Sequence, residues 1–531
     1  MSMARPKYNI TVGGSLKNLA AFHGIGVKGD EVVRAIGKRR RDFNSNDLAL
    51  YGQYCLNDVE LTRKLFDKMK VGFPVSELLL IDRTLRLYTE PELELDKPLL
   101  EKHLKEVLAK KTDLLGELGF VGAEEEAKQM LRSNDKFRAY LDMLGVDIER
   151  LAKISRTTGL KTYGFSKTDR AFTALLDSDD PLVVTAVSAR LGIKSSIEES
   201  RAKLMLDVAT RGLMPVMLRY YAAHTGRFGG GDKMNAQNLP RGGTLRRAIR
   251  ALKGKMLVAC DSSQIEARVV AWLAKQNDLL QAFRDKRDVY SEFATYVYGK
   301  TITKKDKVER FCGKTCILGL GYGMGAPKFV HTMAVGQGGI ALKVPLEEGE
   351  RIVAAYRSLY HRIPALWRRG TRVLQAMVNN ERIEFARGIM AGPDGIELPN
   401  GLVIQYHGLR QTPDGFEYIN DARVYRAMMK ARILGEDLPA HSWTKIYGGK
   451  VVENVVQALA RIVVSDQWVE ISKLFKVVLQ VHDEIVISVE EALVEKAKAA
   501  MMAIMSQPPP WALDLPVACE AEAGPTYGDC K

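Results

Sequence analysis

Lys476 to Val489 reads KVVLQVHDEIVISV. Two apolar, β-branched runs flank a polar triplet: Val477, Val478, Leu479 and Val481 before it, Ile485, Val486, Ile487 and Val489 after it. The triplet is His482-Asp483-Glu484. Length and composition predict a strand, a tight turn and a second strand. The turn then carries two adjacent carboxylates at the rim of an apolar hairpin. Aspartate is also an ordinary turn residue, so the hairpin alone is compatible with no chemistry at all. A matching carboxylate elsewhere in the chain gives it weight.

That carboxylate lies in residues 256–274, MLVACDSSQIEARVVAWLA. Met256 to Cys260 reads as a short buried strand with Asp261 at its end. A helix follows, with Ile265, Val269, Trp272 and Leu273 on one apolar stripe. Ser263 and Glu266 have capping-box spacing, which accounts for both structurally. If the two sheet elements are neighbours, Asp261, Asp483 and Glu484 converge. Clustered carboxylates repel one another and need cations, and hard oxygen ligands select Mg²⁺. Two such ions roughly 4 Å apart activate an attacking hydroxyl and stabilise a leaving oxygen, the chemistry of phosphodiester formation or cleavage.

The chain has 531 residues, enough for three or four structural units, and a formal net charge of +14. That excess favours a polyanionic partner, nucleic acid or an anionic membrane surface. No apolar run reaches the length of a transmembrane helix, and the N-terminus, MSMARPKYNITV, lacks an apolar signal core, which disfavours the membrane. The six cysteines (Cys55, Cys260, Cys312, Cys316, Cys519, Cys530) form no CxxC pair and read as free thiols of a reducing cytosol.

Residues 45–72 read as a helix opened by Ser45 or Asn46. From about Leu95 to Leu204 the text is helix-rich and charged, with little strand signal. Beyond Leu213, Gly-rich loops and short β-rich segments alternate with helices. This mixture predicts an α+β architecture with an antiparallel sheet. Within it, residues 307–323 read KVERFCGKTCILGLGYG. Arg310, Lys314, Leu318 and Tyr322 recur every fourth position on one helix face, and Gly319, Gly321 and Gly323 end the helix. Two cations, an apolar contact and an aromatic ring would suit a nucleoside triphosphate. An ordinary amphipathic helix with snorkelling Arg and Lys fits the same pattern.

Five blocks together resemble the family A DNA polymerases, the bacterial polymerase I class, and bacteriophage members most closely. Asp261 to Arg268 (DSSQIEAR) resembles motif A, Arg310 to Gly323 motif B, and Gln480 to Glu484 (QVHDE) motif C. Thr225-Gly226-Arg227 with Asn235 to Pro240 resembles the segment between thumb and palm, and Glu453 to Arg461 (ENVVQALAR) the helix before motif C. The resemblance spans roughly residues 75–531. It implies a right-hand fold: a palm with an antiparallel sheet, helical fingers and a helical thumb. The boundaries expected are 73–215 for the thumb and entry to the palm, 216–275 and 426–531 for the two parts of the palm, and 276–425 for the fingers.

The resemblance further implies template-directed DNA synthesis from dNTPs on primer–template DNA, with two Mg²⁺ ions that Mn²⁺ can replace. Asp261 and Asp483 would be the metal-binding acids, with the Ser262 backbone as a further ligand and Glu484 as a supporting carboxylate. Glu266 would exclude a ribose 2′-OH, beside Gln264 in the nucleotide site. Arg310 and Lys314 would contact the triphosphate, Lys314 also protonating pyrophosphate, and Leu318 and Tyr322 would line the sugar and base. Arg227, Asn235, Gln237, Asn238, Arg268, Gln457 and His482 would face primer–template DNA. A virus-encoded enzyme acting in the cytoplasm of a bacterial host, alongside a processivity factor or replisome helicase, completes the expectation. Two positions depart from the family: Leu318 stands where Phe or Tyr is common, and Ser262 where motif A often has Tyr. Leu318 is expected to alter nucleotide incorporation and chain-terminator discrimination.

Residues 1–72 resemble only the last part of the family's 3′–5′ exonuclease domain. Tyr54 and Asp58 match its Y-x-x-x-D motif, but Asp30-Glu31 has the wrong spacing for D-x-E and Asp42 lacks the context. One acid cannot hold two metals, so no self-sufficient proofreading is expected. A missing N-terminal segment or a separate exonuclease subunit would leave Leu16, Leu19 and Phe22 needing cover. Competing readings are a single-subunit RNA polymerase, disfavoured by Glu266 and the HDE triplet, and a non-catalytic DNA-binding relic, disfavoured by the retained acids and Lys314. A nuclease alone fails on the missing upstream acids.

Overall fold

The two carboxylate segments meet in one four-stranded antiparallel sheet. Its strands are β1 (Lys255–Ser262), β2 (Lys476–Val481), β3 (Glu484–Glu490) and β4 (Cys519–Gly524), in the order β2-β3-β1-β4. These assignments come from a computed structural model, which describes residues 2–530 apart from 119–123, 155–159, 168, 195–196, 232–233, 337–338, 422–423, 426, 428 and 430–442. The hairpin forms as expected. Val481 pairs with Glu484 across a two-residue turn, and His482 takes a left-handed backbone with φ 55°. β1 and β3 pair over seven residues, with Glu484 opposite Asp261 and Ile485 opposite Cys260. Both strands are buried along most of their length, which explains their near-continuous apolar text. β1 runs two residues further than the sequence suggests. Asp261 therefore belongs to the strand, with Glu520 of β4 as its other neighbour.

Three helices position the remaining site residues: α1 (Ile265–Ala274), α2 (Lys307–Gly319) and α3 (Gly448–Ile471). The expected capping box before α1 is absent. Gln264 occupies the N-cap with φ 49° and makes no side-chain cap bond. Glu266 is thereby left for the cleft. α2 ends at Gly319, and Tyr322 sits in the 3₁₀ turn that follows, with Gly323 at φ 81°. α3 is buried along nearly its whole length and packs against helix Arg362–Val378. The two approach closely at Gly448, where a Cβ would lie 1.9 Å from the Trp367 carbonyl oxygen. A side chain there would force the helices apart.

The helical arm between residues 97 and 211 has its own core around Leu115, Phe137, Leu141, Phe172 and Val187. It also carries a small strand pair, Ala152–Ile154 with Lys161–Tyr163, that the sequence did not signal. The boundary expected at 425–426 lies outside the described residues. In the N-terminal unit, helix Ser45–Met69 starts one step earlier than expected. Asn44 is its cap, accepting from the Asp47 amide at 2.8 Å. Leu19 is fully buried against Ala4 and Leu65, and Leu16 packs beside it, so neither needs a partner. Phe22 does stay exposed, as do Val27, Ile36, Leu56 and Val59. Among the described residues no helix is long and apolar enough to cross a membrane.

Candidate active site

Between the hairpin, α1, α2 and α3 lies an open cleft of about 270 Å³, beside the end of β1 that carries Asp261. Its walls include Arg227, Gln237, Gln264, Glu266, Leu318, His482 and Asp483, seven of the residues singled out from sequence. Asp261 comes from β1 and Asp483 from the turn between β2 and β3, and the backbone ties them together: the Ser262 amide donates to the Asp483 carbonyl at 3.0 Å. The side chain of Ser262 is buried. Two carboxylates held this way offer the hard oxygens that suit a small divalent cation.

Glu484 does not join them as a third open ligand. It is buried at 2% exposure and ion-paired to the buried Arg246, 3.2 Å from Nη2. Tyr527 donates its hydroxyl to the same carboxylate oxygen, and the Arg246 guanidinium lies 3.6 Å from the centre of that ring. Among the described residues no group of three or more His, Cys, Asp or Glu side chains forms a ready metal cage. Glu484, expected to be a supporting carboxylate, contacts Arg246 and Tyr527. It braces the hairpin from behind through Arg246 and Tyr527.

On the opposite wall, Glu266 is ion-paired with Arg227 and accepts from the Tyr322 hydroxyl at 3.4 Å. Three of the expected nucleotide and DNA contacts thus bind one another in the DNA-free chain. Leu318 is part-exposed at the cleft. Lys314 is half-buried, and its ammonium is pushed below its ordinary range, first by burial and then by Arg241 and Arg310. Arg310 is held bidentate by Asp288, at 2.7 and 3.2 Å, over the Tyr290 ring.

The expected DNA contacts divide. His482 faces the cleft, and burial followed by Arg227 holds its imidazole below the ordinary range. Gln237 is buried and donates to Gln480, which donates to the His482 carbonyl at 2.5 Å. Gln457 accepts from Thr225 at 3.4 Å, joining α3 to the Thr225-Gly226-Arg227 loop. Asn235 caps its own turn by accepting from the Gln237 amide, and Asn238 is exposed. Arg268 is corrected. It is buried, donates to the Ser263 and Pro516 carbonyls at 2.7 and 3.2 Å, and lies over Phe283. Burial pulls its guanidinium down to about 10. It locks α1 to the C-terminal segment and does not face DNA.

Sequence reasoning missed Arg241, Arg246, Asp288, Gln480 and Tyr527. Each acts through a residue distant in the chain, so no local pattern marks it.

In the N-terminal unit, Tyr54 and Asp58 are neighbours on one helix, as expected. Lys28 donates to both, so an ammonium group stands against the lone acid.

The model of DNA polymerase family A matches residues 122–381, which include Asp261, Glu266 and the Arg310–Tyr322 stripe. The chain is 25% identical over 541 aligned positions to a DNA polymerase of Bacillus phage SP02, covering 92% of this chain and 77% of the phage protein. Over just under half its length the chain is similar to DNA polymerase family A. DNA polymerase I of Pseudomonas aeruginosa is another relative, 27% identical over 522 positions, with 94% of this chain aligned. The chain spans half the length of that bacterial relative. Among solved structures, the polymerase domain of Pol1 from M. smegmatis, in complex with DNA primer-template and dNTP, superposes with a TM-score of 0.63. That match has 18% identity and covers 99% of this chain and 82% of the other. The α+β polymerase-domain fold of that structure is therefore the fold of this chain. The hairpin at Asp483 lies beyond the matched residues. Its place in the site rests on the register with β1.

Proposed function

We propose that this chain extends a primer 3′ end on a template strand by nucleotidyl transfer from dNTPs, in phage DNA replication. The pairing of Asp261 with the His482–Glu484 hairpin, beside a helix bearing Lys314 and Leu318, carries the reading. Mg²⁺ is the ion best matched to two such carboxylates, with Mn²⁺ as substitute. Asp261 and Asp483 would hold such ions, whose chemistry when bound would be to favour the primer alkoxide and offset charge on the leaving oxygen. The protein's own groups do the rest. Glu484 keeps the turn in place. Lys314, partly desolvated, is suited to neutralise the triphosphate and to hand a proton to the departing pyrophosphate. Glu266 stands where a 2′-OH would need room, and Leu318 offers an apolar surface to the sugar. Arg227, Gln237 and His482 face the primer–template, checking pair shape without reading sequence.

The same reading places proofreading outside this chain's own repertoire. Asp58 is paired with Lys28, and among the described residues no group of three or more His, Cys, Asp or Glu side chains could hold a metal beside it. The exposed apolar residues around that helix would suit a further exonuclease segment or subunit.

Primer extension on matched and mismatched termini tests both statements. Extension of the matched primer with Mg²⁺ and dNTPs, and persistence of the mismatched nucleotide, are expected. A chain that binds primer–template but does not extend it overturns the first statement. Excision of the mismatch, lost in Asp58→Ala, overturns the second.

A further inference from the structure

Arg241 follows the Asn235–Pro240 segment and precedes the short helix Thr244–Arg247. Its Nη2 stands 3.5 Å from Asp261 Oδ2, with the arginine side chain 68% and the aspartate 30% exposed. A long, exposed ion pair of this kind contributes little and yields readily to competing charge. Arg241 is also close enough to Lys314 to depress its ammonium, together with Arg310. Arg241 thus stands between Asp261 on one side and the Lys314–Arg310 pair of cations on the other. The three cations are not equally available. Asp288 holds Arg310 bidentate, and Tyr290 lies beneath it. Among the described residues no carboxylate is paired with Lys314, and the only one paired with Arg241 is the acid that the reaction needs.

We propose that Arg241 is a triphosphate-binding residue that guards Asp261: in the nucleotide-free chain it lies on the carboxylate, and in the nucleotide complex it grips the triphosphate from the strand side while Lys314 grips it from the helix side. The inference rests on the polymerase reading above. With a divalent cation on Asp261, the guanidinium loses its anion and is repelled. The densest negative charge within its reach is then the triphosphate, and a planar fork of N–H donors matches phosphate oxygens. The guard keeps the acid from presenting naked charge between turnovers, and its weakness lets the nucleotide displace it.

Arg241→Ala and Arg241→Gln, with the wild type beside them, test this on two readouts besides turnover. Titration of dNTP, in Ca²⁺, onto the chain bound to a dideoxy-terminated primer–template reads nucleotide affinity. The substitutions are expected to weaken it about tenfold, some 1.4 kcal/mol, while primer–template affinity stays within about twofold, as expected where many other phosphate contacts remain. Electron paramagnetic resonance of Mn²⁺ added to the nucleotide-free chain reads the guard. Removing the arginine is expected to tighten Mn²⁺ binding by about threefold or more, since a like charge has left the site. Unchanged nucleotide affinity in both variants overturns the triphosphate role, and unchanged Mn²⁺ affinity overturns the guard. A wild type that binds primer–template but neither binds nor incorporates nucleotide sinks the polymerase reading itself, and Arg241 with it.

Discussion

The Ser262 amide donates to the Asp483 carbonyl at 3.0 Å, so the end of β1 and the turn of the β2–β3 hairpin move as one body. This main-chain bond helps to position the two acids. Replacing either carboxylate should therefore remove chemistry without disturbing the frame.

Asp483→Ala and Asp261→Ala are expected to lower single-turnover extension by about a thousandfold or more, since each removes half of a two-metal site. Primer–template affinity, dominated by cationic contacts to phosphate, should change less than about threefold. Extension kinetics and a binding titration on the same preparations check this. Extension retained by either variant would contradict the two-acid mechanism.

The Arg246–Glu484 pair makes a different demand. Both groups are buried, so removing one strands the other's charge. Arg246→Met should destabilise the fold by about 3–5 kcal/mol, and the double variant Arg246→Met, Glu484→Leu should recover much of that loss. Urea unfolding of the single and double variants measures it. A double variant as unstable as the single one would remove the pair from the account of how the hairpin is held.

Asp466 on α3 predicts a pH dependence. Burial, then Glu77, raises its carboxyl to about 6 from an ordinary 3.8. The folded state thus holds its proton more tightly than the unfolded state. Its contribution is fully favourable below pH ~4, is lost as pH rises through about 6, and is flat beyond. Asp466→Asn should leave stability unchanged at pH 4 and raise it by about 2 kcal/mol at pH 8, allowing for partial solvent screening. Denaturation at both values decides it. An equal change at the two would show that the proton is not the cause.

Leu318 lies open at the cleft wall near Glu266. It gives the nucleotide sugar an apolar surface but no hydroxyl. Leu318→Tyr adds one where a sugar's 3′-OH is absent, and should reduce discrimination against ddNTPs at least several-fold relative to dNTPs. Competitive incorporation assays read the ratio directly, and an unaltered ratio would free Leu318 from any role in sugar selection.

How far the text of the chain discloses this site depends on the kind of contact. The hairpin was legible because Val477–Val481 and Ile485–Val489 are each apolar at all but one position around a polar break. Asp261 was legible because a strand and a helix meet beside it. Glu484 was not, because adjacency to Asp483 suggests a shared role, whereas strand geometry sends its side chain to Arg246 and Tyr527. Arg268 looked like a surface cation in DSSQIEAR, and only the packing of Phe283 and the Pro516 carbonyl show it to be a buried lock. The apparent capping box at Ser263 and Glu266 failed for a related reason: Gln264 takes a left-handed backbone, and Glu266 is drawn to Arg227. Arg241 and Asp288 stand in no motif that the sequence marks, and their meaning lies in partners that only the fold brings near.

The two-residue turn at His482-Asp483 imposes a constraint of another kind. Along a strand, side chains alternate faces, so one residue inserted between Val481 and Glu484 would rotate the acid out of the cleft. Substitution at this turn can be graded in its effects, whereas a change of length cannot. Among homologous chains, the hairpin should drift in composition along its flanks yet never gain or lose a position. Its length is a fingerprint by which a working enzyme can be told from a decayed copy.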